Sequence, residues 1–342
     1  MQMMPAEWER HEATWIGWPQ NTTDWPGKFE PIPWVYAEIA RQIAKGEKLR
    51  ILVGSATVEK RARRVLERAE VSLERIEFFR VPTNRGWTRD MGPMFVREGG
   101  KRRIMQFGFN GWAKYPNWRK DATVPEKAAT ALKIPLRHAM VDGERMVLEG
   151  GSIDVNGQGT LLTTEECLLD RNVQVRNPGF LKVDYEWAFN EYLGTSNTIW
   201  LAKGIAGDDT HGHVDDLCRF VNRNTVVLCD EHNAKDANHK VTKENFERLK
   251  SARLENGRKL QVVSLPMPAP VIFEGQRLPA SYANFYICNA AVLVPTFNDV
   301  NDHKAIGILS ELIIDRPVVG IHALDLLWGL GTLHCLTQQE PA

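Results

Sequence analysis

The groups of this chain best suited to chemistry are one thiol, a histidine motif and several carboxylates, widely separated in sequence. Cys335 follows a glycine-rich turn (Gly329, Gly331) and precedes Thr337-Gln338-Gln339, a polar setting for a cysteine. His211-Gly212-His213-Val214-Asp215 places three polar side chains at alternate positions, and on a strand those three would share one face. Asp90 lies in Trp87-Thr88-Arg89-Asp90-Met91-Gly92-Pro93, Glu149 directly before Gly150-Gly151, and Asn284 in Ser281-Tyr282-Ala283-Asn284. Cysteine, histidine and carboxylate brought together by folding are the parts of a covalent thiol catalyst. Acyl transfer needs one nucleophile, one base and an oxyanion hole. Extra carboxylates around the thiol suit a planar cation, and the obvious biological one is a guanidinium.

Each of these residues also has an ordinary structural explanation. Most lone cysteines are core residues, and Cys167, Cys218, Cys229 and Cys288, which sit in apolar runs, read that way. His334 adjoins the thiol, but neighbouring strand residues face opposite sides, which makes it the poorer base. Arg89 and Asp90 read by default as an ion pair, although Gly86, Gly92 and Pro93 place them on a tight, structured loop of the kind that carries function. His-x-His on a strand also begins the site of metal-dependent amidohydrolases. Their further ligands would have to come from His232, His239, His303 or His322, none of which lies in a recognisable motif. A metal site is therefore the weaker reading of this motif, and no cofactor is expected.

The elements that must position these groups follow a repeating order. Helical periodicity is predicted at 35–45, 57–69, 125–133, 184–193, 242–255 and 303–313, each followed by β-rich sequence and then a hairpin-like stretch. Asp90, Glu149, His213 with Asp215, Asn284 and Cys335 fall at one phase of this order, about sixty residues apart. A divergent repeat that contributes one polar group per unit predicts a pseudo-symmetric propeller of αβ units with the site on its axis.

Composition narrows the function classes. Of 342 residues, 43% are hydrophobic, and 43 basic residues balance 43 acidic ones. A net charge of zero gives no reason to expect nucleic acid or an anionic membrane as partner. No apolar run approaches the roughly 18 residues of a membrane span, and the start shows no secretion signal. Five scattered cysteines then read as reduced thiols in a cytoplasmic protein.

Six segments, taken in order, resemble the family of agmatine deiminases and bacterial peptidyl-arginine deiminases. They are residues 4–15, 87–93, 148–153, 210–215, 280–286 and 334–339. The resemblance spans nearly the whole chain. It implies one catalytic domain over 1–342 with the five-bladed α/β propeller called the pentein fold. It also implies a metal-independent hydrolase of small guanidines, leaving open a homo-oligomer. By resemblance Cys335 is the nucleophile, His213 the general acid/base, Asp90 and Asp215 the guanidinium clamps, and Glu149 the acid that orients His213. Trp87, Asp209 and Asn284 are assigned to substrate binding, with Asp208 beside Asp209 a further candidate for a distal amine. The expected reaction is agmatine to N-carbamoylputrescine and ammonia, in putrescine (polyamine) biosynthesis. Peptidyl-arginine is the alternative substrate. A metal-dependent amidohydrolase, a silent guanidine-binding protein and an amidinotransferase also stay open. One departure stands out: the family often has three consecutive glycines and an asparagine before His-Cys, where this chain reads Gly329-Leu330-Gly331-Thr332-Leu333.

Overall fold

Five small sheets are built on one plan in the computed structural model, which describes residues 2–342. A strand pairs antiparallel with a second, and the second pairs parallel with a third. Cys218–Asn222, Thr225–Asp230 and Gln261–Pro266 show the plan. The first two are joined by a turn in which Asn222 accepts from the Asn224 amide at 3.0 Å, an Asx turn that reverses the chain locally. A parallel third strand needs a crossover of a dozen or more residues. The helix Ala237–Lys250 provides it, its first turn capped by Asp236.

The plan recurs at Met94–Glu98, Lys101–Gln106 and Leu136–His138. It recurs again at Asp154–Val155, Thr160–Thr164 and Asn197–Leu201, and at Tyr286–Ile287, Val292–Thr296 and Val318–His322. In the fifth sheet the antiparallel partner of His11–Gly17 is Thr337–Pro341, and Lys48–Val53 and Ile76–Arg80 follow in parallel. Residues from the two ends of the described chain therefore share one sheet. The sheets are separate, and no closed sheet is found among the described residues.

Packing follows the sequence pattern. Helix Ile32–Ile43 buries Ile32, Tyr36, Ile39, Ala40 and Ile43 along one stripe, while the middle strand Val226-Val227-Leu228-Cys229 is buried on both faces. Each such aliphatic side chain contributes about 1.5–3 kcal/mol. The predicted helices are found at Ile32–Ile43, Ala56–Arg68, Val124–Leu132, Lys182–Ala188 (continuing as a π turn to Leu193), Ala237–Lys250 and Asp302–Leu312. The largest offset is the helix expected at 242–255. Asp236 starts it earlier, and Asn256-Gly257, with Gly257 at φ +76°, turns the chain after it.

Two local expectations are corrected. Residues 211–215 are not a strand: His211 and Gly212 have φ of +63° and +95°, and Val214–Asp216 is a single 3₁₀ turn. Cys335 is not on a strand either but in a short helix, Leu333–Leu336. The argument from alternating faces therefore applies to neither motif. No helix among the described residues is long and apolar enough to cross a membrane.

Candidate active site

Asn284 orients the thiol. Its Oδ1 accepts from Thr332 Oγ1 at 2.7 Å and from the His334 amide at 3.0 Å. With the oxygen so occupied, Nδ2 is free to donate to Asp216 Oδ1 at 3.0 Å and to Cys335 Sγ at 3.1 Å. Asp215 Oδ2 lies 3.7 Å from the sulfur. Burial, then Asp215, Asp216 and Asp90, push the Cys335 thiol well above its ordinary range, against the Asn284 donation. These surroundings favour the thiol form of Cys335 over the thiolate.

The carboxylates converge on His213. Asp90 comes from the helical turn Thr88–Met91, and its Oδ1 accepts from the Gly151 amide at 3.0 Å and its Oδ2 from Trp112 Nε1 at 2.9 Å. Position 151 has to be glycine, because a Cβ there would lie 2.5 Å from His213 Nδ1 and 2.9 Å from Asp90 Oδ1. His213 is fully buried, and neither ring nitrogen has a hydrogen-bond partner. Nδ1 stands 3.8 Å from Asp90 and 3.9 Å from Asp215, and Nε2 stands 3.6 Å from Glu149. Burial opposes a charge on the ring, but Asp90 first, then Cys167 and Glu149, raise its pKa well above the usual imidazole value. Asp90 is pushed up to about 6, by burial first and then by Asp215 and Glu149, despite His213 and Trp112.

Buried cations support these acids from behind. Arg176 Nε reaches Glu149 at 3.2 Å with both side chains fully buried; burial raises the Glu149 carboxyl, but Arg176 and His213 together hold it below its usual range. His334 Nδ1 bonds Asp215 Oδ2 at 2.7 Å, and His334 Nε2 meets Glu7 Oε2 at 2.8 Å. Glu7 in turn holds Arg89 at 3.1 Å and Arg219 at 3.0 Å. Burial raises Asp215, but His334, His213 and Arg219 together hold it below its ordinary value, while burial and Asp215 raise Asp216. Two triads, Glu149–Cys167–His213 and Asp215–Asp216–Cys335, have ligand atoms within 4.8 Å of one another. Arg176 already engages Glu149 and His334 already bonds Asp215, so one acid of each triad is committed to a protein partner.

A cavity opens on Cys335 and Asp90. Trp87 and Trp112 line it, and Thr23, Asp24, Arg85, Tyr115, Asp209, Trp328 and Leu330 are also on its wall. Residues 3–341 match the Porphyromonas-type peptidyl-arginine deiminase family. The chain belongs to that family. Among its relatives, an agmatine deiminase of Pseudomonas aeruginosa is 35% identical over 99% of this chain and 95% of its own length. One from Medicago truncatula is 36% identical over 99% and 96%. A solved structure of an agmatine deiminase of Enterococcus faecalis superimposes with a TM-score of 0.90 at 30% identity, covering 99% and 96%.

In this member of the deiminase family the fold brings together Cys335, His213, Asp90, Asp215, Glu149, Trp87 and Asn284. Asn284 is buried behind the sulfur and off the cavity wall. His211 is directed elsewhere, to Asp170 at 2.8 Å. Asp208 cannot receive a distal amine, because it accepts from Thr210, Gly212 and His213 and so ties its own loop. Asp209 lines the cavity but already holds Lys114 at 2.5 Å and Tyr115 at 2.7 Å. Arg89 does not pair with Asp90; it bonds Glu7 and Gln339. Cys218, Cys229 and Cys288 are buried as expected, whereas Cys167, read as plain core, lies against His213 and Glu149. Sequence reasoning missed Glu7, Arg176, Arg219, His334 and Asp24. Glu7 lies inside a motif noticed as a whole, but nothing local marked it, since its four partners come from four distant segments.

Proposed function

We propose that the chain hydrolyses agmatine to N-carbamoylputrescine and ammonia. The observation that carries this reading is a thiol on a tryptophan-walled cavity, with Asp90 and Asp215 both facing Nδ1 of a histidine whose ring no hydrogen bond ties down. Asp90 and Asp215 accept the guanidinium N–H groups and fix its plane. The cation offsets the acids that keep Cys335 protonated, so substrate entry favours the thiolate. Sulfur attacks the central carbon, and His213 protonates the departing nitrogen as ammonia. An amidino-thioether remains on Cys335. Water adds to the same carbon while His213 takes its proton, and the C–S bond breaks to give the ureido product and free thiol. Glu149, held by Arg176, keeps the imidazole oriented and charged. No step asks for a cofactor.

On the cavity wall, Asp24 suits the second cation of agmatine. It is buried, its Oδ2 has no partner, and burial pushes it up to about 6 even with Arg85 Nη1 at 2.5 Å. Among the described residues, Arg85 is the one cation on the cavity wall, and its Nη1 is held by Asp24 while its guanidinium stacks on the Tyr115 ring 4.1 Å away. That leaves little to receive the α-carboxylate of arginine.

We also read the five sheets as five blades about a pseudo-axis, with residues 1–342 one catalytic domain at work in the cytoplasm. The shared strand plan and the supply of one polar group from each unit support the blade reading. The test is a panel of agmatine, free arginine and a blocked arginine peptide, with ammonia and ureido product both measured. Agmatine is expected to exceed arginine at least a hundredfold in kcat/KM, about 2.7 kcal/mol, and Cys335→Ala to be inactive. Equal use of arginine overturns the substrate, citrullination of the peptide favours the peptidyl-arginine alternative, and an active Cys335→Ala overturns the mechanism.

A further inference from the structure

The loop that delivers the nucleophile contains a leucine in a conformation that suits glycine. Leu330 has φ +72°, a region that crowds any Cβ. Its neighbours have no room for a side chain. A Cβ on Gly329 would lie 2.5 Å from Trp25 Nε1, and one on Gly331 would lie 2.8 Å from Trp87 Cζ3 and 3.2 Å from Cys335 Sγ. The backbone at 329–331 is thus pressed onto the Trp25–Trp87 pair, whose ring centroids are 5.6 Å apart. Leu330 is the one residue of the three that can present a side chain, and it stands on the cavity wall, partly exposed, with Trp87 and Asp24. Its amide donates to Leu327 O at 2.8 Å, so the turn is held in place from behind. A side chain retained against its backbone preference is grounds for seeking a use for that side chain.

We propose that Leu330 is a specificity-determining residue: its isobutyl group forms an apolar wall along the methylene chain of the substrate and excludes guanidines that carry a charged branch near the distal amine. The inference rests on the agmatine reading of the site. Methylenes gain by burial against leucine. A carboxylate forced against the leucine side chain loses water and gains no hydrogen bond from it, while Arg85 has its Nη1 committed to Asp24. The wall therefore discriminates mainly by penalising the branched competitor.

The experiment compares wild type with Leu330→Gly and Leu330→Ala on agmatine, arginine and n-butylguanidine, a linear guanidine with no distal charge. Thermal melting is followed in parallel. Glycine accepts φ +72° freely, so Leu330→Gly is expected to melt no lower than wild type. In both variants the arginine-to-agmatine ratio of kcat/KM is expected to rise at least tenfold, and KM for butylguanidine to rise at least threefold. A ratio within twofold of wild type together with an unchanged butylguanidine KM overturns the proposal. If wild type fails to use agmatine, the substrate reading falls by itself, and the butylguanidine KM alone then decides whether Leu330 lines the chain.

Discussion

Glu7→Gln tests whether the acids of the site are set by charges behind them. Glu7 is 3% exposed. Its two oxygens face Arg219 at 3.0 Å, Arg89 at 3.1 Å, His334 at 2.8 Å and the Ile287 amide at 2.8 Å. Glutamine keeps the shape but offers one acceptor oxygen to four donors, and its own N–H groups would point at cations. Removing one member of a buried ionic network costs about 3–5 kcal/mol. With an unfolding entropy of about 2.1 cal/mol/K per residue, that corresponds to a fall of about 4–7 °C in Tm for a chain of this length. Arg219, His334 and Arg89 outweigh burial and hold Glu7 well below 4.5. A depressed carboxylate contributes its stability above the unfolded value and loses it as pH falls through the folded one. Scanning calorimetry at several pH values should therefore show the full gap between wild type and variant above about pH 5 and a narrowing gap in the acid range below it. Since Glu7 also steadies His334 and through it Asp215, kcat should fall about tenfold at pH 7.5, equivalent to about 1.4 kcal/mol. A Tm within 1 °C of wild type, or a gap that stays constant into acid, would refute the reasoning.

Asp90→Asn and Asp215→Asn should each reduce kcat/KM by about 150-fold to 5,000-fold, about 3–5 kcal/mol, because one side of the guanidinium is left uncompensated; near-normal kinetics would place that acid outside the site. Asp90→Asn should nevertheless melt no lower than wild type at pH 8, because the raised pKa of Asp90 means its ionised form costs stability above about pH 6; a clear loss of Tm there would contradict this. Alkylation of Cys335 by iodoacetamide in the empty enzyme should rise with pH and reach half its maximum above the ordinary thiol value of about 8.5. Half-maximal reaction below pH 7 would reveal a preformed thiolate instead.

The sequence carried the helices and hairpins because they follow from local causes. Period, turn residues and caps act within a few residues, as at Asn222–Asn224 or Asp236. It also carried Cys335, His213, Asp90, Asp215 and Glu149, each next to glycines or in an ordered motif. The layer behind them was not legible. Arg176 reaches Glu149 from 27 residues away, and Glu7 meets His334 across 327; neither neighbourhood signals a partner. The strand argument for His211–Asp215 and His334 failed because positive φ at His211 and Gly212 and two short helical turns replace the alternation it assumed. Asp208 was misread for a related reason: an acid before a histidine motif can serve its own loop instead of a ligand.

The pairing of His11–Gly17 with Thr337–Pro341 also constrains how activity arises during synthesis. Trp15 and Glu340, joined by a 2.9 Å bond, are 325 residues apart, a very non-local contact whose loop-closure entropy is met before any reward. Until residues 337–341 leave the ribosome, the His11–Gly17 edge has no partner on that side and is open to wrong pairing. Cys335, two residues upstream of that strand, reaches its place beside Asn284 only when this seam closes. The nucleophile's placement is therefore tied to the most non-local pairing described in the fold, so a change that weakens the seam between His11–Gly17 and Thr337–Pro341 also disturbs Cys335.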